Sequence, residues 1–585
     1  MAKKVSKTEH SDPLRVSDRE LVVIAKKEAK LRASPHGIAS NTDADVSGLD
    51  KLLKDRQLTF KPIFGESEDS LLREAHHRAP DMDESQFYLD LCYQVEAPED
   101  QLDELAEQLL EFEVVDGAYV KPAAELPFAP DDKEADTLVS EIIRDIPAIP
   151  PNFTSRQTYL NAAPEGIDAY YAWTQAGGRG AGIRIIDCEW GWRFNHMDLR
   201  AIQGGVIAGG NSSVLNFENH GTAVLGVYSG DLNSYGITGI ASDAWAAASS
   251  FTGQSVAQAI MNASHRLNAG DIMLLEIHAA GPRYNFQGRA DQKGYIAIEW
   301  WPDVYLAIRD AVNRGIIVVE AAGNGGENLD DPIYDNRPNG FPSWWRNPFR
   351  RNPLDSGAIL VGAGAPPPGT HGRNHGPDRS RLDFSNYGAL LDAQGYGREV
   401  TTTSRGDLWR DHDDPNNRDR WYTDVFSGTS SASPIVVGAV ACVQGILKNR
   451  GRILLSPARV RELLRTTGSP QQDATGRPTT QRIGNRPNLR QLIPRALETR
   501  SWTGVQFRGS VGARRTQCWF TFRWPAHWHV LWTVIPTSPY SGQPQIKYKI
   551  QVERASDQYI TYWICVTNLS SASVNIEGRF AVLGW

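Results

Sequence analysis

Cysteine is scarce in this chain: Cys92, Cys188, Cys442, Cys518 and Cys565 are the only five in 585 residues, odd in number, scattered, and without a CxxC spacing. That pattern excludes a disulfide framework and a cysteine-based zinc site, and predicts reduced thiols. Long apolar runs are missing too; none approaches the ~18 residues that a membrane-spanning helix needs, so no transmembrane segment is expected. The polar N-terminus lacks the apolar core of a secretory signal, because its best run, residues 21–25, passes straight into Lys26-Lys27. These absences predict a cytoplasmic protein, with non-classical export as the alternative. Positive charge is absent over one stretch: residues 81–120 hold thirteen acids and no Lys or Arg.

What is present is the composition of a globular protein, 41% hydrophobic and 22% charged with mean hydropathy −0.41. This excludes disordered and collagenous chains, and the length suggests about four domains as a prior. The net charge of −8 gives no reason to expect nucleic acid. It conceals an asymmetry. Residues 1–150 carry 18 Lys+Arg against 33 Asp+Glu, a net −15, which leaves +7 for residues 151–585.

Five segments follow. Residues 1–57 read as a polar leader with a helix expected over 19–33. Residues 58–122 read as a small α+β unit, with strand alternation at 58–65 and 87–95, helical periodicity at 67–78 and 99–112, and a strand at 114–120. Residues 123–155, rich in Pro, Ala and acids, read as a linker with a short helix at 137–144. Residues 156–497 have an α/β pattern, in which short apolar runs at 182–186, 271–277, 315–320 and 358–362, separated by helical stretches, predict buried parallel strands. Asp303 reads as the N-cap of one such helix. Segments 326–356 and 404–424 read as surface insertions. Residues 498–585 hold seven of the seventeen tryptophans and predict a separate all-β domain.

Four stretches of the α/β region carry chemistry. Ile185-Ile186-Asp187 puts a carboxylate at the end of an apolar strand, and Asn219-His220-Gly221-Thr222-Ala223-Val224 opens a helix of small residues. Ala321-Ala322-Gly323-Asn324-Gly325 puts an amide just past a strand. Ser427-Gly428-Thr429-Ser430-Ser431-Ala432-Ser433-Pro434 leads into an apolar helix. A serine hydroxyl becomes a nucleophile when an imidazole takes its proton, and the imidazole needs a carboxylate to fix its tautomer. A helix N-terminal N–H and an Asn amide can hold the resulting oxyanion. Each residue alone is more often structural than catalytic. In this order they resemble the subtilisin-like serine proteases, the subtilases. The resemblance covers about residues 155–497 and extends to Val437-Gly438-Ala439-Val440-Ala441, His196-Met197-Asp198-Leu199 and Asp383-Phe384-Ser385-Asn386-Tyr387-Gly388.

The resemblance implies a serine endopeptidase with a subtilisin-like parallel sheet flanked by helices. It implies Asp187 as orienter, His220 as general base and acid, Asn324 as oxyanion donor and Ser430 as nucleophile. Substrate would add as a strand beside 275–281, with Leu275, His278, Ala279, Gly281, Ala322 and Gly323 forming its groove. Where the family follows its Asp with Ser or Thr and then Gly, this chain has Cys188-Glu189-Trp190-Gly191; Trp190 either walls the cleft or only packs, and a buried inert Cys188 is favoured over a redox switch.

By position and element order, residues 58–122 resemble a subtilisin-type propeptide, an intramolecular inhibitor; the −15 charge of residues 1–150 would favour docking on the +7 of residues 151–585, with a solvated acidic face as the alternative. The chain is then expected to be a zymogen cut within 123–155 by Ser430, acting on protein or peptide substrates without a required cofactor. The acids at 411–419 are a candidate calcium loop, a solvated acidic loop being the favoured alternative. For the Trp-rich domain, core aromatics are favoured over a ligand or protein partner site. The alternative function is a catalytically weak subtilase-fold scaffold, or a recognition protein using this β-domain.

Overall fold

The computed structural model describes residues 19–34, 37–71, 89–127, 149–498, 501–526, 528–538, 542–556 and 559–583. The start of the expected leader, most of the expected helix at 67–78 and the expected short helix at 137–144 lie outside the described residues.

The N-terminal part is built on β1 (Glu20–Ala25), α1 (Ser47–Arg56), β2 (Phe60–Pro62), β3 (Cys92–Val95), α2 (Leu102–Leu110) and β4 (Val115–Lys121). The strands form one antiparallel sheet in the order β2-β3-β1-β4, and α2 packs on β1 and β4. The helix expected at 19–33 is therefore corrected to a central strand, and the α+β unit reaches back into the segment read as leader. The physical reason is that Val22, Val23 and Ile24 are β-branched, and their five-residue apolar run is too short for a helical stripe but suits a strand buried on both faces. Residues 21–24 are each 0% exposed.

After a two-residue strand β5 (Ala124–Glu125), the α/β part comprises β6 (Arg184–Glu189), β7 (Gln203–Ala208), α3 (Leu215–Ser229), β8 (Trp245–Ser250), β9 (Ile272–Leu275), β10 (His278–Ala280), β11 (Tyr295–Ala297), α4 (Pro302–Asn313), β12 (Ile317–Ala321), β13 (Ile359–Gly364), β14 (Ala393–Tyr396) and α5 (Thr429–Asn449). Seven strands form a parallel sheet in the order β14-β13-β12-β9-β6-β8-β7. The sheet and its helices make the expected subtilisin-like α/β fold. One expectation about apolar runs changes: α5 is long and apolar enough to cross a membrane by length and composition, yet its apolar window is wholly buried in the protein. It is the core helix on which the sheet packs.

Segment 326–356 is not a loose surface insertion. Tyr334, Phe341, Trp345 and Phe349 are buried, and Phe341 and Trp345 close on Trp300 with ring centroids 5.2 and 5.1 Å away. The same segment receives β4. The Tyr119 ring meets Phe341 at 4.7 Å, and Gly340, at φ 89°, leaves room for the Ala118 carbonyl, which a Cβ there would meet at 2.2 Å. Asp303 lies in the first turn of α4 without capping it; the N-cap is Trp301, with Pro302 in the first turn. The Asp303 carboxylate instead accepts from the Tyr119 hydroxyl at 2.8 Å and from Lys121 Nζ at 2.5 Å, and Lys121 also pairs with Glu20 at 2.6 Å. The docking ion pair thus has the reverse polarity to that expected from the charge split. The acids of the N-terminal part, among them Glu96, Glu99, Asp103, Glu104 and Glu107, are exposed, which fits the solvated-face alternative.

The C-terminal region contains β15 (Ser501–Val511), β16 (Thr516–Pro525), β17 (Val530–Pro536), β18 (Ile546–Glu553), β19 (Tyr559–Asn568) and β20 (Val574–Leu583), in two antiparallel three-stranded sheets ordered β15-β20-β17 and β16-β19-β18. Trp524 and Trp532 lie in the core between Val511, Val534, Ile564 and Val582, with Trp502, Trp519 and Trp528 packed against it. The expectation for cysteine is corrected here: Cys518 and Cys565 face each other across β16 and β19 and form a disulfide. Separated by 47 residues in sequence, the pair becomes visible only once the register is known. With it falls the argument from reduced thiols to a cytoplasmic location.

Lys121 is buried between two carboxylates that hold its pKa well above the usual lysine range. In a Ser430→Ala chain, Lys121→Met strands the buried Asp303 charge and costs about 3–5 kcal/mol. Arg56→Ala, which removes an exposed pair with Glu104, costs less than about 1 kcal/mol. Urea unfolding followed by tryptophan fluorescence compares the two.

Candidate active site

The parallel sheet delivers its functional groups at strand and helix ends facing one crevice, as open α/β sheets do. The strand β6 brings Asp187 and Glu189; α3 brings His220; the turn after β12 brings Asn324; α5 begins with Thr429 and Ser430. All are buried, with exposures of 0–3%. Gly428, at φ 92°, turns the chain into α5, where the helix dipole favours negative charge.

The carboxylate facing His220 is not the one expected. His220 Nδ1 donates to Glu189 Oε2 at 2.7 Å, whereas Asp187 Oδ2 accepts from the Trp192 indole N–H at 2.7 Å. The site expectation is corrected accordingly, with a structural reason. Asp187 and Glu189 share a face of β6 because strand side chains alternate, and Glu189 lies one pleat farther toward the crevice. The signal was present: Glu189-Trp190-Gly191 occupies the family's acid-x-Gly frame with Glu in place of Asp. Trp190 only packs, against Phe217 and Phe251 at 5.4 and 5.2 Å. Cys188 is a buried free thiol, pushed up by burial and by the flanking carboxylates, so it has no thiolate to offer.

Asn324 is oriented from below. Its Oδ1 accepts from the Thr429 backbone N–H at 3.0 Å and the Thr429 hydroxyl at 2.9 Å, which leaves Nδ2 as a buried donor without an acceptor. The preceding turn is braced by Asn386, whose Nδ2 donates to Ala322 O at 2.7 Å. Gly323, at φ 95°, passes so close that a Cβ would meet Asn386 at 2.8 Å. A third buried carboxyl, Glu276, went unpredicted as part of the site. It accepts from Ser433 Oγ at 2.5 Å, neighbours the Ser430 hydroxyl, and is pushed up by burial and by Asp187.

The strand edge expected to receive substrate is occupied by the chain itself. Strand β5 pairs antiparallel with β10, Glu125 opposite His278 and Ala124 opposite Ala279, and β11 pairs with the other edge of β10. Tyr295 donates its hydroxyl to Glu125 at 2.7 Å, and Gln292 Nε2 donates to the Leu126 carbonyl at 2.8 Å. The Pro127 carbonyl lies 2.6 Å from where a Cβ on Gly428 would stand. His278 accepts from the Asn324 backbone N–H through Nδ1 at 3.2 Å, and burial pushes it down to about 3. Of the expected groove residues, His278 and Ala279 meet the tail strand and Gly323 lies beside His278. Leu275 does not: it is inside the main sheet, paired with Cys188 and Glu320. Gly281 pairs with Gly294 of the β10–β11 hairpin, and Ala322 with Val361. Gln292 and Tyr295 were missed, since nothing in a loop sequence marks which side chains turn inward.

In the candidate calcium loop, Asp411 pairs with Arg420 and Asp419 with Arg193. Among the described residues no group of three or more His, Cys, Asp or Glu side chains is arranged to hold a metal ion.

Residues 202–487 match the model of the subtilase family, Peptidase_S8. An intracellular serine protease of Paenibacillus polymyxa is 23% identical over 354 residues, 57% of this chain and 90% of that one. Thermitase of Thermoactinomyces vulgaris is 27% identical over 327 residues, 54% of this chain and 90% of its own. Fervidolysin of Fervidobacterium pennivorans, a keratinolytic enzyme, superposes with a TM-score of 0.45 at 16% identity, covering 97% of this chain and 69% of its own. Residues 202–487 thus match the subtilase family, and the curated relatives similar to this chain are subtilisin-like serine proteases, hydrolases that act on protein or peptide substrates.

Proposed function

We propose that this subtilase is a serine endopeptidase made as a self-inhibited zymogen, with Ser430 as nucleophile, His220 as general base and acid, and Glu189 as the carboxylate that orients the imidazole. The hydrogen bond from His220 Nδ1 to Glu189 carries this reading. It directs the other ring nitrogen away from the carboxylate and stabilises the imidazolium formed when Ser430 is deprotonated. The tetrahedral intermediate's oxygen is received by Asn324 Nδ2 and the Ser430 backbone N–H. No cofactor takes part in these steps.

The N-terminal sheet is the inhibitor and residues 124–127 its tail. Pairing on β10 is the geometry of an added substrate strand, and the Pro127 carbonyl approaches Gly428, two residues before Ser430. Self-cleavage removes this strand, by a cut within 123–155. Intact-mass and N-terminal analysis of the wild type beside Ser430→Ala tests it. The wild type yields a fragment beginning within that segment and Ser430→Ala stays whole; the same full-length species from both defeats self-processing.

Asn324→Ala is expected to lower kcat by about 10²–10³ with KM little changed, because the donor acts in the transition state; the magnitude is that of subtilisin's own oxyanion asparagine. Stopped assays on a peptide substrate measure it. Acid should also loosen the folded chain. His278 is pushed down to about 3 and His196 to about 4, both by burial, from 6.5. Their folded values lie below the unfolded one, so their contribution is full above pH 6.5 and is lost as pH falls toward 4. The unfolding temperature of Ser430→Ala falls across that window, and His196→Gln with His278→Gln flattens the slope.

A further inference from the structure

Two carboxyl groups stand in line behind the imidazole where one would serve. Asp187 and Glu189 are both 0% exposed and project from the same face of β6. Each has given one oxygen to an N–H donor: Asp187 Oδ2 to Trp192 and Glu189 Oε2 to His220, each at 2.7 Å. The remaining oxygens, Asp187 Oδ1 and Glu189 Oε1, are buried and meet no N–H or hydroxyl donor, while the two carboxyls are in hydrogen-bonding contact with each other. Two facing carboxylates cannot both ionise out of water. A proton must lie between them.

Its position follows from the outer partners. Glu189 faces an imidazole that becomes a cation in turnover, which favours its charged form. Asp187 faces a neutral indole. The groups packed around the pair sharpen this. Cys188 stands between them in sequence with its thiol on the other face of β6, the Tyr228 hydroxyl on α3 feels both charges, and the Glu276 carboxyl follows the end of β9. All three are pushed up by burial and by these acids. From α5, the Ser433 and Ser430 hydroxyls face Glu276. Burial pushes both carboxyls up; at Asp187 the charge and the contact of Glu189 add to that rise, against the Trp192 and Cys188 N–H groups, whereas at Glu189 the same contact offsets part of it.

Resting on the reading of Glu189 as the carboxylate of His220, we propose that Asp187 is a protonated positioning residue, whose carboxylic acid donates through Oδ1 to Glu189 Oε1 and fixes Glu189 on the imidazole. The line runs Trp192 N–H to Asp187, Asp187 O–H to Glu189, and Glu189 to the His220 N–H. The acid stays neutral at physiological pH and leaves the cluster with the single negative charge that an imidazolium needs. As pH rises through the elevated value of Asp187, the proton leaves, the hydrogen bond breaks and two charges confront each other.

Infrared spectra of the full-length Ser430→Ala chain, carrying isotopically labelled Asp carboxyls, test the proton's place directly. At about pH 8, far above the ordinary Asp value of about 3.9, a protonated Asp carbonyl band is expected, and it is missing in Asp187→Asn or Asp187→Ser, made side by side so that one folded variant assigns it. The absence of the band in the parent chain, or its persistence in the folded variant, overturns the proposal. Kinetics then separate it from the reading beneath it. Asp187→Ala lowers kcat by about 10–100-fold, as for a lost hydrogen bond to a charged group; Asp187→Asn, whose amide N–H still donates, recovers most of this and leaves the acid limb of the kcat/KM profile in place. Glu189→Gln loses about 10⁴. An acid limb shifted down by about one unit or more in Asp187→Asn, with Glu189→Gln inactive, places the charge on Asp187 and sinks this inference alone. An active Glu189→Gln sinks both.

Discussion

The hydrogen bond between His220 and Glu189 is made where water does not reach, and the surrounding chain is arranged to make that tolerable. A buried carboxylate is costly unless each lone pair is met. One strand therefore supplies both the acid and, two residues earlier, the group that satisfies its far side. Trp192 closes the line, and Trp190 between them seals it by packing on Phe217 and Phe251. The small residues after His220 serve the same end. A Cβ on Gly221 would meet the Gly191 carbonyl at 2.3 Å, so α3 can approach the strand end closely enough for the imidazole to reach Glu189.

The second constraint is the edge of β10. A strand with both edges open would offer two binding faces. Here β11 takes one edge and leaves the other to receive an extended peptide. Tyr295, Gln292 and the Asn324 turn meet that peptide from the β11 side, and Gly428 meets it at the helix end. The same β10–β11 region continues into Trp300 and Trp301 and so into the aromatic cluster that seats Tyr119. The β10 edge and the seat of Tyr119 are thus parts of one packed layer, which explains why Tyr334, Phe341, Trp345 and Phe349 of segment 326–356 are buried.

Much of this was legible in the residues. The apolar runs marked the parallel strands, and the serine stretch marked α5, because a helix buried all round must be apolar all round. His220, Asn324 and Ser430 lie buried in α3, in the turn after β12 and in the first turn of α5. What failed had physical causes. Residues 19–33 read as a helix because a short apolar run between lysines has no period of its own; only pairing with β3 and β4 makes it a strand. Asp187 was expected because the family motif carries Asp, whereas reach along the pleat puts Glu189 on the imidazole. The charge split predicted attraction between halves, but the contact formed is Lys121 on Asp303, chosen by burial and fit. The disulfide depended on a register that composition does not carry.

Because the N-terminal sheet is held by shape and by one enclosed ion pair, covalent continuity matters more than charge. While residues 124–127 remain covalently joined to the protease domain, the strand they form on β10 is presented intramolecularly, at an effective concentration that a separate peptide would have to match. Severing the tether returns the same contacts to bulk concentration, where dilution opposes their reassembly. Under the proposed zymogen reading, a cut beyond Pro127 would act as a ratchet: one hydrolysed bond would convert a self-occupied groove into one that foreign chains can compete for.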